Sequence, residues 1–300
     1  MPDQQKVDEL KRRLTRYGVW TGAQQWTDLG RAREVAAEVE SLGYGAIWVG
    51  VSSLPFEVHE ALLAGTTDLL VVTGIVSIWD NPAAEVAERH RELNATYGDR
   101  FVLGLGNSHA QRVGEQTYVK PYSRTVAYLD ELDAAGTVPE EGRLLAALRP
   151  RMLGLAGNRT AGAHPYLMPP EHTAHARAAL GAGPLLAAEQ KVVLEADPAR
   201  ARAIARQRLS MYLGLPNYTG ALQDYGLEPE DFEGEGSDRW VDLGAAWGDE
   251  DAVRGRLQAH HDAGADHVLV QVLTEDSSSD LPLVEWRTLA STLQLRARCS

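Results

Sequence analysis

Asn107, Ser108 and His109 follow directly on Arg100-Phe-Val-Leu-Gly-Leu-Gly106, so polar chemistry stands at the end of an apolar run that reads as a buried strand. In parallel α/β proteins the reacting groups gather at the carboxyl ends of the strands. A histidine there suits proton transfer or a hydrogen bond to a ligand, although it could also order its own loop. Asn107 and Ser108 could hydrogen-bond a ligand or cap a turn. Trp20 and Trp79 lie at or near strand ends, where an indole can wall a flat ligand, whereas Trp48 sits inside its strand and reads as core.

A second group of candidates lies further along. Ala147-Leu148-Arg149-Pro150 leads from a strand into a helix, whose first amides suit a phosphate, and Arg149 adds a cation. An ordinary proline-started helix with a surface arginine is the plainer alternative. His164-Pro165-Tyr166 ends the next strand, and Glu171 and His172 open the helix after it. The pairs His172/His175 and His260/His261 lack the carboxylate or cysteine that would complete a metal set, so no metal is expected. Gly104-Leu-Gly106 lacks the third glycine of a dinucleotide fingerprint.

These residues need a frame, and strand and helix signals alternate along almost the whole chain. Strands are expected at Tyr17–Trp20, Ala46–Val49, Leu69–Ser77, Phe101–Gly106, Arg143–Ala147, Ala161–Leu167, within Leu185–Leu194, and at His267–Val272, with helical spacing between them. The Gly-, acid- and aromatic-rich stretch 216–248 breaks the alternation and reads as an insertion. Eight strand–helix units predict one α/β domain over residues 1–300, a (β/α)8 TIM barrel with a late insertion.

The bulk properties exclude several classes. A net charge of −13 without a basic tract argues against nucleic-acid binding and against attraction to anionic membranes. The lone Cys299 allows no internal disulfide, the polar N-terminus is no signal peptide, and no apolar run is long enough to span a bilayer. A cytoplasmic protein acting on a small molecule is expected, and a homodimer is compatible with the composition.

Tyr17-Gly-Val-Trp20, Leu42-Gly-Tyr-Gly-Ala-Ile-Trp48, Val72-Thr-Gly-Ile-Val-Ser-Ile-Trp79 and Arg100–His109, followed in order by Arg149-Pro-Arg-Met-Leu153, Ala161-Gly-Ala-His-Pro-Tyr166 and Asp249-Glu-Asp-Ala-Val253, resemble the bacterial luciferase-like superfamily. The similarity is greatest to its actinobacterial branch that uses the deazaflavin coenzyme F420, and it extends from Tyr17 to Leu295. The resemblance implies an oxidoreductase that moves a hydride between the deazaflavin and a small organic substrate. An FMN-dependent monooxygenase is the alternative within enzymes, and a barrel that only binds a ligand is the alternative outside them.

It also implies a site, with His109, Trp79 and Trp20 as catalytic candidates. Gly74, Ile75, Gly106, Asn107, Ser108, Ala147, Leu148, Arg149, Pro150, His164, Pro165 and Tyr166 are the cofactor-binding candidates. A cis peptide is expected at Gly74–Ile75, beneath the central ring. Two departures stand out: relatives commonly carry Pro-Glu where this chain has Gly50-Val-Ser-Ser53, and often Gly where it has Arg149.

Overall fold

A computed structural model describes residues 1–275 and 280–296; Cys299 lies outside the described residues. Its strands are β1 (Tyr17–Gly22), β2 (Ala46–Gly50), β3 (Leu70–Thr73), β4 (Val76–Ser77), β5 (Phe101–Gly106), β6 (Arg143–Leu145), β7 (Gly162–Ala163), β8 (Leu185–Leu194), β9 (Ala245–Gly248) and β10 (His267–Val272). All pairings are parallel. The order β1-β2-β3-β5-β6-β7-β8-β10 closes on itself because β10 pairs with both β8 and β1. This is the eight-stranded (β/α)8 barrel that the alternation predicts.

The helices start where the sequence supplies caps. Asp28 Oδ1 accepts from the Gly30 and Arg31 amides, and Asp249 Oδ1 from the Ala252 amide. Proline opens the helices Pro121–Ala135, Pro150–Arg159, Pro170–Leu180 and Pro198–Leu209, where its missing N–H costs nothing. The strands bury both faces. Leu70, Val72, Leu144 and Leu269 point into the barrel, while Val71, Leu103 and Val268 pack against the surrounding helices.

The expected strands Arg143–Ala147 and Ala161–Leu167 shorten to β6 and β7, and three further elements differ from the expectation. The N-terminal segment, for which no element was expected, forms the helix Gln4–Leu14, and Val7, Leu10 and Leu14 join the cluster inside the barrel. The run Leu69–Ser77 is not one strand. It breaks at Gly74–Ile75, and β4 continues alongside Leu105 and Gly106 of β5. The stretch 216–248 holds the helices Pro216–Gln223 and Asp238–Gly244, but its last residues form β9, which pairs with the end of β8 outside the ring of eight. Ala245-Ala-Trp-Gly248 is too short to announce itself by period; pairing with Lys191–Leu194 decides it.

Candidate active site

A cavity of ≈ 560 Å³ opens at the carboxyl ends of the strands. Its lining surface is mainly apolar, as in small-molecule sites. Trp20, near the end of β1, forms one wall. Its ring stacks on Trp48 at 6.4 Å and meets Tyr166 at 5.0 Å. Gly50, the last residue of β2, and Gly74, just past the end of β3, make room for that indole. A Cβ on Gly74 would lie 2.5 Å from Trp20 Cη2 and 2.9 Å from Gly50 Cα. Gly74→Ala is therefore expected to cost about 1–3 kcal/mol through overpacking, seen as a lower Tm. An unchanged Tm would mean that the indole has room to move.

Below this wall the apolar barrel interior holds a few buried polar groups, most of them hydrogen-bonded. His267 Nδ1 donates to the Thr15 carbonyl at 2.9 Å, which leaves Nε2 to accept from the Trp48 indole at 3.3 Å. Nearer the mouth, on β8, Glu189 and Lys191 point the same way, two residues apart. Both are buried, and Lys191 Nζ lies 3.2 Å from the carboxylate and 3.8 Å from the Tyr166 ring centroid. Burial lowers the Lys191 pKa to about 8 against the pull of Glu189, and burial raises that of Glu189. The Tyr166 hydroxyl donates to Gln271 Oε1 at 2.7 Å and shares a 2.7 Å hydrogen bond with Tyr212.

Gly74–Ile75 is not cis. The only cis peptide among the described residues is Leu54–Pro55. The trans chain at Gly74–Ile75 satisfies its own backbone: the Gly74 amide donates to the Val49 carbonyl at 2.7 Å and the Ile75 carbonyl accepts from the Ser52 amide at 2.9 Å. A non-proline cis bond would cost about 2.5–4 kcal/mol, and the trans form already brings Ile75 to the cavity wall.

Where relatives carry an acid after the second strand, Ser52 and Ser53 line the cavity instead. The Ser52 hydroxyl donates to the Val49 carbonyl at 2.6 Å and meets the buried His59 Nε2 at 3.0 Å.

His109 reaches the cavity because Ser108 turns the chain with a left-handed φ of 56°. Its ring lies 5.2 Å from that of Tyr218, and among the described residues its imidazole makes no hydrogen bond. Burial, and then the charge of Arg112, lowers its pKa from the usual 6.5, which favours the neutral ring.

Trp79 and Asn107 are not among the residues that line the cavity. The Trp79 indole donates to the Asn107 carbonyl at 2.8 Å, and Asn107 Oδ1 accepts from Thr125 at 2.8 Å. They brace the loop that presents Ser108 and His109.

The sequence profile of the luciferase-like monooxygenases matches residues 13–267. The chain belongs to this family. No curated protein sequence matches the chain. Among solved structures, an F420-dependent secondary alcohol dehydrogenase in complex with an F420-acetone adduct is similar at TM-score 0.70 and 15% identity, over 95% of this chain and 99% of that one. The coenzyme F420-dependent tetrahydromethanopterin reductase of Methanopyrus kandleri gives 0.73 and 14%, over 94% and 99%. The oxygenating constituent of 3,6-diketocamphane monooxygenase from Pseudomonas putida, in complex with FMN, gives 0.65 and 12%, over 93% and 97%. At these identities the likeness shows the fold.

The remaining candidates of this luciferase-like chain divide by the direction of their side chains. His164 and Tyr166 line the cavity, while Pro165 between them does not. His164 is buried, its pKa is pushed down to about 3 by that burial, and its Nε2 has no hydrogen-bond partner. Ala146 lines the cavity in place of Ala147. Gly106 lies behind Ile75, since a Cβ on it would fall 2.5 Å from Ile75 Cδ1.

Leu148, Arg149 and Pro150 lie apart from this site, in a second cavity of ≈ 330 Å³ with His172 and His175. Arg149 is ion-paired there with Asp224. His172 Nε2 bonds the Leu148 carbonyl at 2.9 Å and His175 meets Tyr225 at 3.0 Å. Glu171 lines neither cavity.

Sequence reasoning missed Arg112, Arg208, Tyr212 and Tyr218, all of which line the main cavity. Only Arg112 carried a local signal, three residues past His109. The others come from chain beyond β8 that folds back over the barrel mouth.

Proposed function

We propose that this chain is an oxidoreductase that moves a hydride between coenzyme F420 and a small organic substrate, with His109 handling the accompanying proton. The observation that carries this reading is the unpartnered imidazole of His109 on the wall of a cavity that Trp20 and Ile75 also line. The lining fits a flat ring system. Its volume lies within the roughly 300–1,000 Å³ of ligand sites, and the glycines beside Trp20 leave a face that a Cβ would fill. Trp20, Ile75, Gly74, Ser108, His164 and Tyr166 are the residues that would hold it. A bound deazaflavin supplies a ring carbon that accepts or donates a hydride and reacts poorly with oxygen.

The work left to the protein is positioning and proton transfer. In the oxidising direction an alcohol carbon loses its hydride, and the hydroxyl proton passes to the neutral ring of His109 as the carbonyl forms. In the reducing direction the same imidazolium returns that proton to the oxygen. The stacked indoles and tyrosines exclude water from the transfer. The similar structures include F420-dependent enzymes and an FMN-bound monooxygenase, so the two cofactors are compared directly in the test.

Parallel titrations of the purified chain with F420 and FMN test the assignment. F420 is expected to bind at least about tenfold more tightly, a difference near 1.4 kcal/mol, and to be reduced without oxygen uptake when a substrate alcohol is added. Preferential FMN binding with substrate-dependent oxygen consumption would replace it with the monooxygenase. Binding of neither would leave a ligand-binding barrel.

A further inference from the structure

Two guanidiniums line the main cavity and neither is paired. Arg112 comes from the short helix after His109, and Arg208 from the last turn of Pro198–Leu209. Among the described residues neither side chain has an ion pair or a hydrogen bond, and the Arg208 Nε is buried without a partner. Scarcity of acids does not explain this, since the chain has 42 Asp and Glu against 29 Lys and Arg. On the same helix, Arg202 pairs with Asp242 and Asp238, and Arg206 with Asp238. The carboxylate whose field reaches Arg208 from the barrel, that of Glu189, is committed to Lys191. Asp80, the one acid in the described lining, is exposed and pairs with neither.

Tyr212 and Tyr218 form a corner beside these cations. Their rings meet edge to face at 5.3 Å, and the charge of Arg112 acts on both hydroxyls. Arg112 is exposed at the rim, whereas Arg208 is half-buried; leaving such a partly desolvated guanidinium unpaired is costly, and its natural counterpart is a planar anion held by two N–H groups.

We propose that the substrate carries a carboxylate on an aromatic or apolar body, with the carboxylate taken by Arg208 and Arg112 and the body packed on Tyr212 and Tyr218. The inference rests on the reading of this cavity as the redox site. A cofactor phosphate has similar chemistry. The substrate is favoured because the corner adjoins the proton-handling group: the His109 ring lies 5.2 Å from that of Tyr218.

The test uses 3-phenylpropionate and its neutral analogue 3-phenylpropanol, titrated into the cofactor-free chain by calorimetry. The acid is expected to bind at least about tenfold more tightly than the alcohol. Arg208→Gln should weaken the acid by about tenfold to a hundredfold, the worth of a charge-assisted hydrogen bond, and leave the alcohol unchanged. Arg208→Lys should recover part of the loss. The Tm of Arg208→Gln should hold or rise, because an uncompensated charge has been removed.

Equal binding of acid and alcohol to the unaltered chain overturns the proposal, as does a Tm several degrees lower in Arg208→Gln. A variant that loses FMN or F420 affinity while riboflavin binds as before assigns the corner to the cofactor phosphate and also overturns it. A chain that binds neither cofactor yet separates acid from alcohol keeps the anion corner and removes only the redox reading.

Discussion

His109→Ala is expected to lower turnover by about 10²–10⁴-fold, the usual worth of a positioned acid or base, while cofactor affinity stays within a factor of a few. The split follows from the geometry. His109 lies on the cavity wall beside Tyr218, whereas the indole of Trp20 and the glycines beneath it shape the ring face. The histidine's folded pKa is lowered, by burial first and Arg112 second. As a base it works only when neutral, so oxidation should fall on the acid side through a pKa below 6.5, and that limb should vanish in the alanine variant. His109→Gln, which keeps a hydrogen-bonding group without a titrating one, separates proton transfer from polarisation. Steady-state kinetics against pH, with cofactor titrations alongside, measure both. Full turnover in His109→Ala would make the histidine a loop-ordering residue.

Acid should unfold this protein early and steeply. Burial pushes His59, His164 and His260 down to about 3, and His90 and His267 down to about 4, from an ordinary 6.5. The sign follows from proton binding. Above pH 6.5 both the folded and unfolded chains hold these rings neutral, so the groups contribute nothing. Below it the unfolded chain takes up protons that the folded chain refuses, and stability falls with pH until the folded pKa values are reached. Each such group removes about 1.4 kcal/mol per pH unit over that window. Five together would exhaust a typical stability of about 5–15 kcal/mol by roughly pH 5. Circular dichroism during acid titration measures it, and His260→Gln, which can still hydrogen-bond Gln190 or Thr173, should move the midpoint to lower pH. A fold that persists to pH 4 would mean that these rings are less desolvated than their burial implies.

The barrel was legible because its information is local. Unbroken β-branched runs such as Leu69-Leu-Val-Val72, helices opened by Asp28 or Pro150, and their alternation eight times over specify a parallel sheet covered on both faces. The helix Gln4–Leu14 was equally legible in principle: Val7, Leu10 and Leu14 keep helical spacing, hidden by polar neighbours. Strand β9 was not legible, since four residues take their conformation from Lys191–Leu194 across the sheet.

At the site, the sequence determined which chain segments arrive at the barrel mouth, because strand order and strand ends are properties of each segment alone. It thereby brought His109, Trp20, Ile75, His164 and Tyr166 to one rim. Only the tertiary structure decided which side chains face inward there. Side chains alternate at a strand end, so a shift of one residue exchanges lining for backing: His164 and Tyr166 turn in around Pro165, and Ala146 replaces Ala147. Contacts between distant segments decided the rest. Trp79 and Asn107 became braces because Thr125 and a backbone carbonyl claimed their polar atoms, and Arg149 became a surface ion pair because Asp224 lies beside it. Tyr212, Tyr218 and Arg208 close the cavity from chain that carries no strand-end signal, and only the packing of that chain over the barrel brings them to His109.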